Sequence, residues 1–278
     1  MKKHRTFSLV PFVIPALFLL LWHVAAVKAN NQVVVPPPEQ VGELFASPFA
    51  SVIGMGSLAS NILVSLARVL TGYALAVAVG IPLGIAMGHS SRCHELLNVF
   101  LSLFRPIPPL AWVPLVLAWF GVASFATMAG VEEGRLFVPL NNLKLSMLFI
   151  IFIGAVYPIL SGAIHGVRGV RTILIDSART LGASDRDIFR SILLPGAMPS
   201  IVNGLRVGLG LAWMCLVSAE MLPGSISGVG YLITHAYTLA RTDVVVAGMA
   251  GIGFVGALLD YGFRRIEERK FQWVRLSR

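Results

Sequence analysis

Six stretches of this chain are apolar for long enough to cross a lipid bilayer: Leu9–Val27, Ile62–Gly88, Leu96–Phe120, Leu145–Ile164, Met198–Leu222 and Val244–Tyr261. A helix spanning a hydrocarbon core about 30 Å thick needs roughly 20 mostly apolar residues. Inside that core each backbone N–H and C=O must also find its partner within the protein. The expected fold is therefore all-α and membrane-integral, with about six transmembrane helices. Only 13% of the residues are charged, against about a quarter in ordinary soluble domains, which leaves too little polar surface to clothe a soluble fold.

The net charge of +9 could suggest nucleic-acid binding, but the basic residues are partitioned among loops as the positive-inside rule requires. With a cytoplasmic N-terminus, fifteen of the Lys and Arg residues fall inside: Lys2, Lys3, Arg5, Arg92, five from Arg168 to Arg190, and six from Arg264 to Arg278. Four fall outside (Lys28, Arg135, Lys144 and Arg241), and Arg68, Arg105 and Arg206 lie at or within spans. Both termini are thus expected in the cytoplasm, with no nucleic-acid partner. Residues 1–60 read as a first helix and an external Pro-rich segment, 61–265 as the transmembrane domain, and 266–278 as a basic cytoplasmic tail. The basic start and the Val27-Lys28-Ala29 ending of the first stretch imitate a cleavable signal. Its apolar run is longer than the usual 7–15 residues, which favours a retained helix.

The second stretch repeats small residues every four positions: Gly72, Ala76, Gly80, Gly84 and Gly88. Gly204, Gly208 and Ala212 repeat the device in the fifth. Small-residue stripes let backbones approach closely where lipid offers no hydrophobic drive to associate, so a tight bundle or a dimer seam is expected. Gly251-Ile-Gly253-Phe-Val-Gly256 imitates a dinucleotide-binding fingerprint, but it sits in an apolar stretch with no preceding strand. No phosphate-binding Gly-x-x-x-x-Gly-Lys-Ser/Thr loop occurs, so any ATP-driven role needs a second protein. Cys93 and Cys215 are isolated, and the six histidines lack ligand spacing, so no metal, bound cofactor or catalytic constellation is expected.

Between the fourth and fifth stretches, residues 167–195 form a patterned connector. Asp176 to Leu181 reads as a short helix with an acid in its first turn, stopped by Gly182 in a left-handed conformation. Ser184 then caps a second helix with Asp187 three residues on, and Pro195 ends that helix before the next span.

A resemblance enters at these residues. Asp176-Ser177-Ala178, Gly182, Ile192 and Leu194-Pro195 follow the Glu-Ala-Ala…Gly…Ile-x-Leu-Pro loop of ABC importer permeases, with Asp for Glu and Ser for Ala at the first two positions. Other segments resemble the taurine, alkanesulfonate, nitrate and bicarbonate permeases. They are Val35-Pro-Pro-Pro-Glu-Gln-Val41, Gly80-Ile-Pro-Leu-Gly-Ile-Ala-Met-Gly88, Arg105-Pro-Ile-Pro-Pro-Leu-Ala-Trp-Val-Pro-Leu115, Gly204-Leu-Arg-Val-Gly-Leu-Gly210 and Ser218-Ala-Glu-Met-Leu222. The likeness runs from about Val33 to Arg265, and Val122 to Lys144 is longer than the family pattern. It implies a type I importer transmembrane domain in a bacterial cell (inner) membrane, carrying a cytoplasmic coupling-helix loop. The implied partners are a second permease copy, cytoplasmic ATPase subunits that use the ATP, an external or periplasmic substrate-binding protein, and the surrounding lipid. The implied coupling residues are Asp176, Ser177, Ala178, Gly182, Ala183, Ile192, Leu194 and Pro195.

The charged residues of the spans are weighed separately. Glu220, near the outer end of the fifth, must face protein or water, as a gate or as an interfacial acid. Arg105, Arg206 and Arg68 lie near span ends where a guanidinium can snorkel, and Arg105 and Arg206 join Glu220 as candidate pathway residues. Asp260 and Arg264 have the spacing of an interfacial i,i+4 pair. A small oxyanion, with sulfonates such as taurine ahead of nitrate or bicarbonate, is the expected substrate. The competing reading is a secondary transporter, which would want a central intramembrane acid or histidine to carry a proton.

Overall fold

The computed structural model describes residues 10–221 and 224–270, the side chains of residues 10–12 excepted. Expectations resting on Lys2, Lys3, Arg5, Leu222, Pro223, Arg275 and Arg278 lie outside the described residues. Among those described, every regular element is a helix. In chain order these are α1 (Val10–Ala29), α2 (Pro38–Ala46), α3 (Leu58–His89), α4 (Ser91–Phe104), a 3₁₀ turn (Pro109–Trp112), α5 (Val113–Phe120), α6 (Phe125–Ala129) and α7 (Phe137–Asn142). There follow α8 (Leu145–Arg168), α9 (Thr172–Thr180), α10 (Asp185–Ile188), a π turn (Phe189–Leu193), α11 (Leu194–Glu220), α12 (Val229–Thr238) and α13 (Thr242–Lys270).

Four helical units are long and apolar enough to cross a membrane: α3, α8, the continuous run Asp185–Glu220, and α13. The apolar helix Val13–Ala29 is shorter. The remaining stretch, expected as one straight span, is instead broken: Ser91–Phe104 and Pro109–Phe120 meet at 82°. Pro106, Pro108 and Pro109 explain the break. Each removes a backbone donor, and Pro109 pushes the residue before it out of the helical region: Pro108 sits at φ −57°, ψ 137°.

The expected stop at Pro195 is also absent. α10, the π turn and α11 run together as one 36-residue unit, with Pro195 in the first turn of α11. The wider turn absorbs the proline: Leu194 N–H bonds back to Phe189 C=O, five residues earlier, so the hydrogen-bond ladder is re-phased just before the residue that cannot donate.

The small-residue stripes settle on α8. A β-carbon at Gly72 would lie 2.8 Å from Ile151, at Gly84 2.6 Å from Ala163 and at Gly88 2.7 Å from Val167, all on α8. From the other side, a β-carbon at Gly204 would lie 2.8 Å from the Pro158 carbonyl, and one at Gly162 2.8 Å from the Gly204 Cα. Backbone therefore meets backbone, and both stripes serve packing within the chain. α8 sits between α3 and α11 around a core of Val69, Ile151, Ala155, Ile159, Ala212 and Leu216. Gly251, Gly253 and Gly256 lie within α13, as expected of a chance match. Residues 122–144, the stretch longer than the family pattern, contain α6 and α7 and close on themselves through a bridge between Ser124 and Lys144.

Candidate functional site

At the end of the bundle where α8 stops and α11 begins, the chain builds a helix, a glycine turn and a second helix. α9 starts at Thr172, after Arg171 and without a side-chain cap. Asp176 consequently stands in the second turn, not in the first as the sequence suggested: the helix begins four residues before the acid that looked like its start. Ile175, Ala178 and Ala183 turn inward onto a cluster containing Ile188, Leu193, Ala197 and Ile201. Asp176, Ser177, Arg179, Thr180 and Gly182 are exposed, and Leu181 is 88% exposed.

Gly182 has φ +85°. Its N–H donates to Arg179 C=O at 2.9 Å, and the Ala183 N–H donates to Ala178 C=O at 3.0 Å. These two bonds form a Schellman stop, which needs a left-handed residue and favours glycine there. Ser184 then caps α10: its hydroxyl accepts from Asp187 N–H, and the Asp187 carboxylate accepts from Ser184 N–H, both at 3.3 Å. Ile192 and Leu194 are half-buried and Pro195 exposed. The eight residues of the expected coupling set thus run from α9 through the Gly182 turn to the first turn of α11.

A cavity of about 670 Å³ opens along α8 and α11 and reaches from Cys215, Leu211 and Gly154 down to Arg105, His165 and Ser200. Arg105, at the broken turn after α4, is one of its walls. Arg206 is not. It donates to Asp260 at 2.5 Å and approaches Glu267 at 3.8 Å, tying α11 to α13. Asp260 also accepts from Arg264 at 2.9 Å, so the i,i+4 pair is present and shared with Arg206.

At the opposite end of the bundle lies a polar network that the sequence did not reveal. Arg68, read as able to snorkel, is fully buried. Its Nη1 donates to Glu220 Oε1 and to Ser227 C=O, both at 2.7 Å, its Nη2 to Ser227 Oγ at 2.8 Å, and its Nε to Asn142 C=O at 2.7 Å. Glu220 also accepts from Ser65 Oγ at 2.8 Å and from Gly230 N–H at 3.0 Å. A snorkelling arginine leaves its donors to water; this one has four protein acceptors, which offset its desolvation.

Two glycines let the loop between α11 and α12 lie directly on the carboxylate. A β-carbon at Gly228, where φ is +108°, would fall 2.3 Å from Glu220 Oε1, and one at Gly230 would fall 2.4 Å from Val217 C=O. Lys144 donates its Nζ to Gly224 C=O at 2.5 Å. Burial pushes this ammonium below the usual lysine range, and the nearby Arg68 charge adds to the effect. Arg68 and Ser227, in direct contact, are 159 positions apart, and nothing in local spacing signals their meeting.

A family profile described as "Binding-protein-dependent transport system inner membrane component" matches residues 80–272. A protein of Methanocaldococcus jannaschii, whose name proposes an ABC transporter permease, is 47% identical over 95% of this chain and 92% of its own length. The taurine transport system permease protein TauC of Escherichia coli is 34% identical over 92% of this chain and 86% of its own length. The nitrate import permease protein NrtB of a Synechocystis species is 34% identical over 90% and 84% respectively. Among solved structures, the inward-facing MetNI methionine ABC transporter superposes with a TM-score of 0.61 at 17% identity, covering 76% of this chain and 95% of that one. That last likeness concerns the fold alone.

Proposed function

The chain belongs to the inner membrane components of binding-protein-dependent transport systems, the permeases of ABC importers, and from that premise we propose that it forms the path for a small oxyanion. Sulfonates such as taurine are the leading substrates, with nitrate or bicarbonate as the alternative, since relatives named for taurine and for nitrate are equally similar. ATP is hydrolysed by separate cytoplasmic ATPase subunits, and an external binding protein delivers the substrate. Two permease copies face each other in the membrane, with both termini in the cytoplasm.

In this reading the unit around Gly182 docks on the ATPase, with Leu181 as an apolar knob and Asp176 and Ser177 on its outer surface. The cavity beside Arg105 belongs to the path. The observation that carries the coupling is the exposed Schellman turn: apolar Leu181 is 88% exposed at its tip, and Ile173 and Leu174 of the preceding α9 are 67% and 52% exposed. Three large apolar side chains left exposed on one short unit suit a protein partner.

The test is uptake by sealed vesicles holding the chain with its ATPase. Accumulation of taurine, or of nitrate or bicarbonate, is expected only when ATP and a binding protein are both supplied. Uptake driven by a proton gradient without either would instead support a secondary transporter.

A further inference from the structure

A second cavity, of about 360 Å³, continues from the first toward the Gly182 end of the bundle, reaching Met87, His94 and Arg168. Arg105, Tyr157, Ser161 and His165 line both cavities. The two spaces are therefore one route divided at these four side chains, running along α8 from Gly154 to Arg168, about 21 Å at 1.5 Å per residue. Two arginines and two histidines line it, and no aspartate or glutamate does.

Several arginines of the bundle are ion-paired. Arg68 is paired with Glu220, Arg206 with Asp260 and Glu267, Arg241 with Asp243, and Arg264 with Asp260. Among the described residues, neither Arg105 nor Arg168 has a carboxylate within ion-pairing distance. Arg168 instead approaches the His94 Nε2 at 3.5 Å. The Ser161 carbonyl lies 2.7 Å from His165 Nδ1. A carbonyl only accepts, so Nδ1 carries a proton and donates it, and Nε2 is the nitrogen left for the route.

We infer that Arg105, Tyr157, Ser161 and His165 form an anion-selective constriction, and that Arg168 with His94 forms a cationic inner vestibule drawing the anion onward. This inference rests on the transport reading and deepens it by assigning the charge selection to residues of this chain. Uncompensated cations in a cleft with low-dielectric walls focus a positive potential: anions concentrate there and cations are repelled. Tyr157 and Ser161 add hydroxyl donors at the same level, and the absence of carboxylates leaves nothing to hold a cation.

The protein carries its own probe. Cys215 lines the upper cavity, and Ser161→Cys places a second thiol at the constriction. Both are read in a Cys93→Ser background, in vesicles where the Arg168 side is accessible. The probes are sulfonatoethyl and trimethylammonioethyl methanethiosulfonate, nearly equal in size and opposite in charge. The anionic reagent is expected to react about tenfold faster than the cationic one, corrected for their rates with a free thiol. Arg105→Gln with Arg168→Gln should bring the two rates together, Arg105→Lys should keep the preference, and raising the salt should erode it without any mutation.

Equal rates in the unmutated pair of arginines, or no reaction at either thiol, would overturn the constriction. ATP-driven anion uptake that persists alongside equal rates leaves the transport reading intact. A clear charge preference in a protein that imports no anion condemns the transport reading and spares the constriction.

Discussion

Arg68 and Glu220 meet at 2.7 Å with both side chains withdrawn completely from solvent. The pair joins α3 to the last residue of α11, and through Ser227 and Gly230 it pins the loop beyond. Withdrawing two charges from water costs several kcal/mol each, offset here by mutual attraction and by the surrounding hydrogen bonds. Removing one partner leaves the other charge buried without its counterion.

Glu220→Leu and Arg68→Met are therefore each expected to destabilise the fold by about 3–5 kcal/mol. Arg68→Met combined with Glu220→Leu should lose clearly less than the two single losses added together. Thermal unfolding of the four purified proteins in one detergent gives the comparison. Additive losses would mean that the two residues act independently.

Gly162 and Gly204 bring α8 and α11 to backbone contact, so Gly162→Val or Gly204→Val forces the helices apart. The cost is about 1–3 kcal/mol or more, and the yield of folded protein should drop sharply. Gly253, whose added β-carbon meets nothing within 4 Å, is the control: Gly253→Ala should be neutral. Fluorescence-detected size exclusion of the three variants separates these outcomes, and equal profiles would remove the close approach from its structural role.

Gly182 offers a different case, because an added β-carbon there also meets nothing within 4 Å. Gly182→Val is thus penalised through its backbone alone, about 1–2 kcal/mol for a left-handed residue, confined to the turn. Membrane insertion and folded yield should stay near wild type while ATP-driven uptake falls steeply. Leu181→Ser should weaken copurification with the ATPase, whereas Asp176→Ala, in mid-helix and exposed, should act more mildly. Normal uptake and normal copurification in all three would strip this turn of its coupling role.

The proposed sidedness is read with reporters at Ser184 and at Ile226, which is 57% exposed. Ser227 is unsuitable because its hydroxyl belongs to the Arg68 network. The two reporters should sit on opposite sides of the membrane; a common side would refute the arrangement.

What the sequence showed reliably was local. The apolar stretches, the glycine stripes and the Ser184–Asp187 cap depend on residues at most a few turns apart. The broken third stretch was legible too, in Pro106, Pro108 and Pro109, but hydropathy averaged across it hid the punctuation. Asp176 was misplaced because α9 begins without a capping side chain, leaving its first turn unmarked. The partner of the glycine stripes and the bond between Arg68 and Glu220 required the tertiary fold: a burial pattern says that a residue has a neighbour without saying which.

The π turn at Phe189–Leu193 has a mechanical consequence. The unit Asp185–Glu220 contains 36 residues, a rod of about 54 Å, with the Gly182 turn joined to one end and the Glu220 ion pair at the other. Because the turn holds one residue more than an α-helical turn, Ile188 and Leu193 share a buried face although they are five apart. Deleting one residue there would restore ordinary helical phase and swing everything before it by about 100° around the rod's axis. The turn at Gly182 would then point another way while the span itself stayed intact, so one residue of chain length sets the direction in which the proposed docking surface faces.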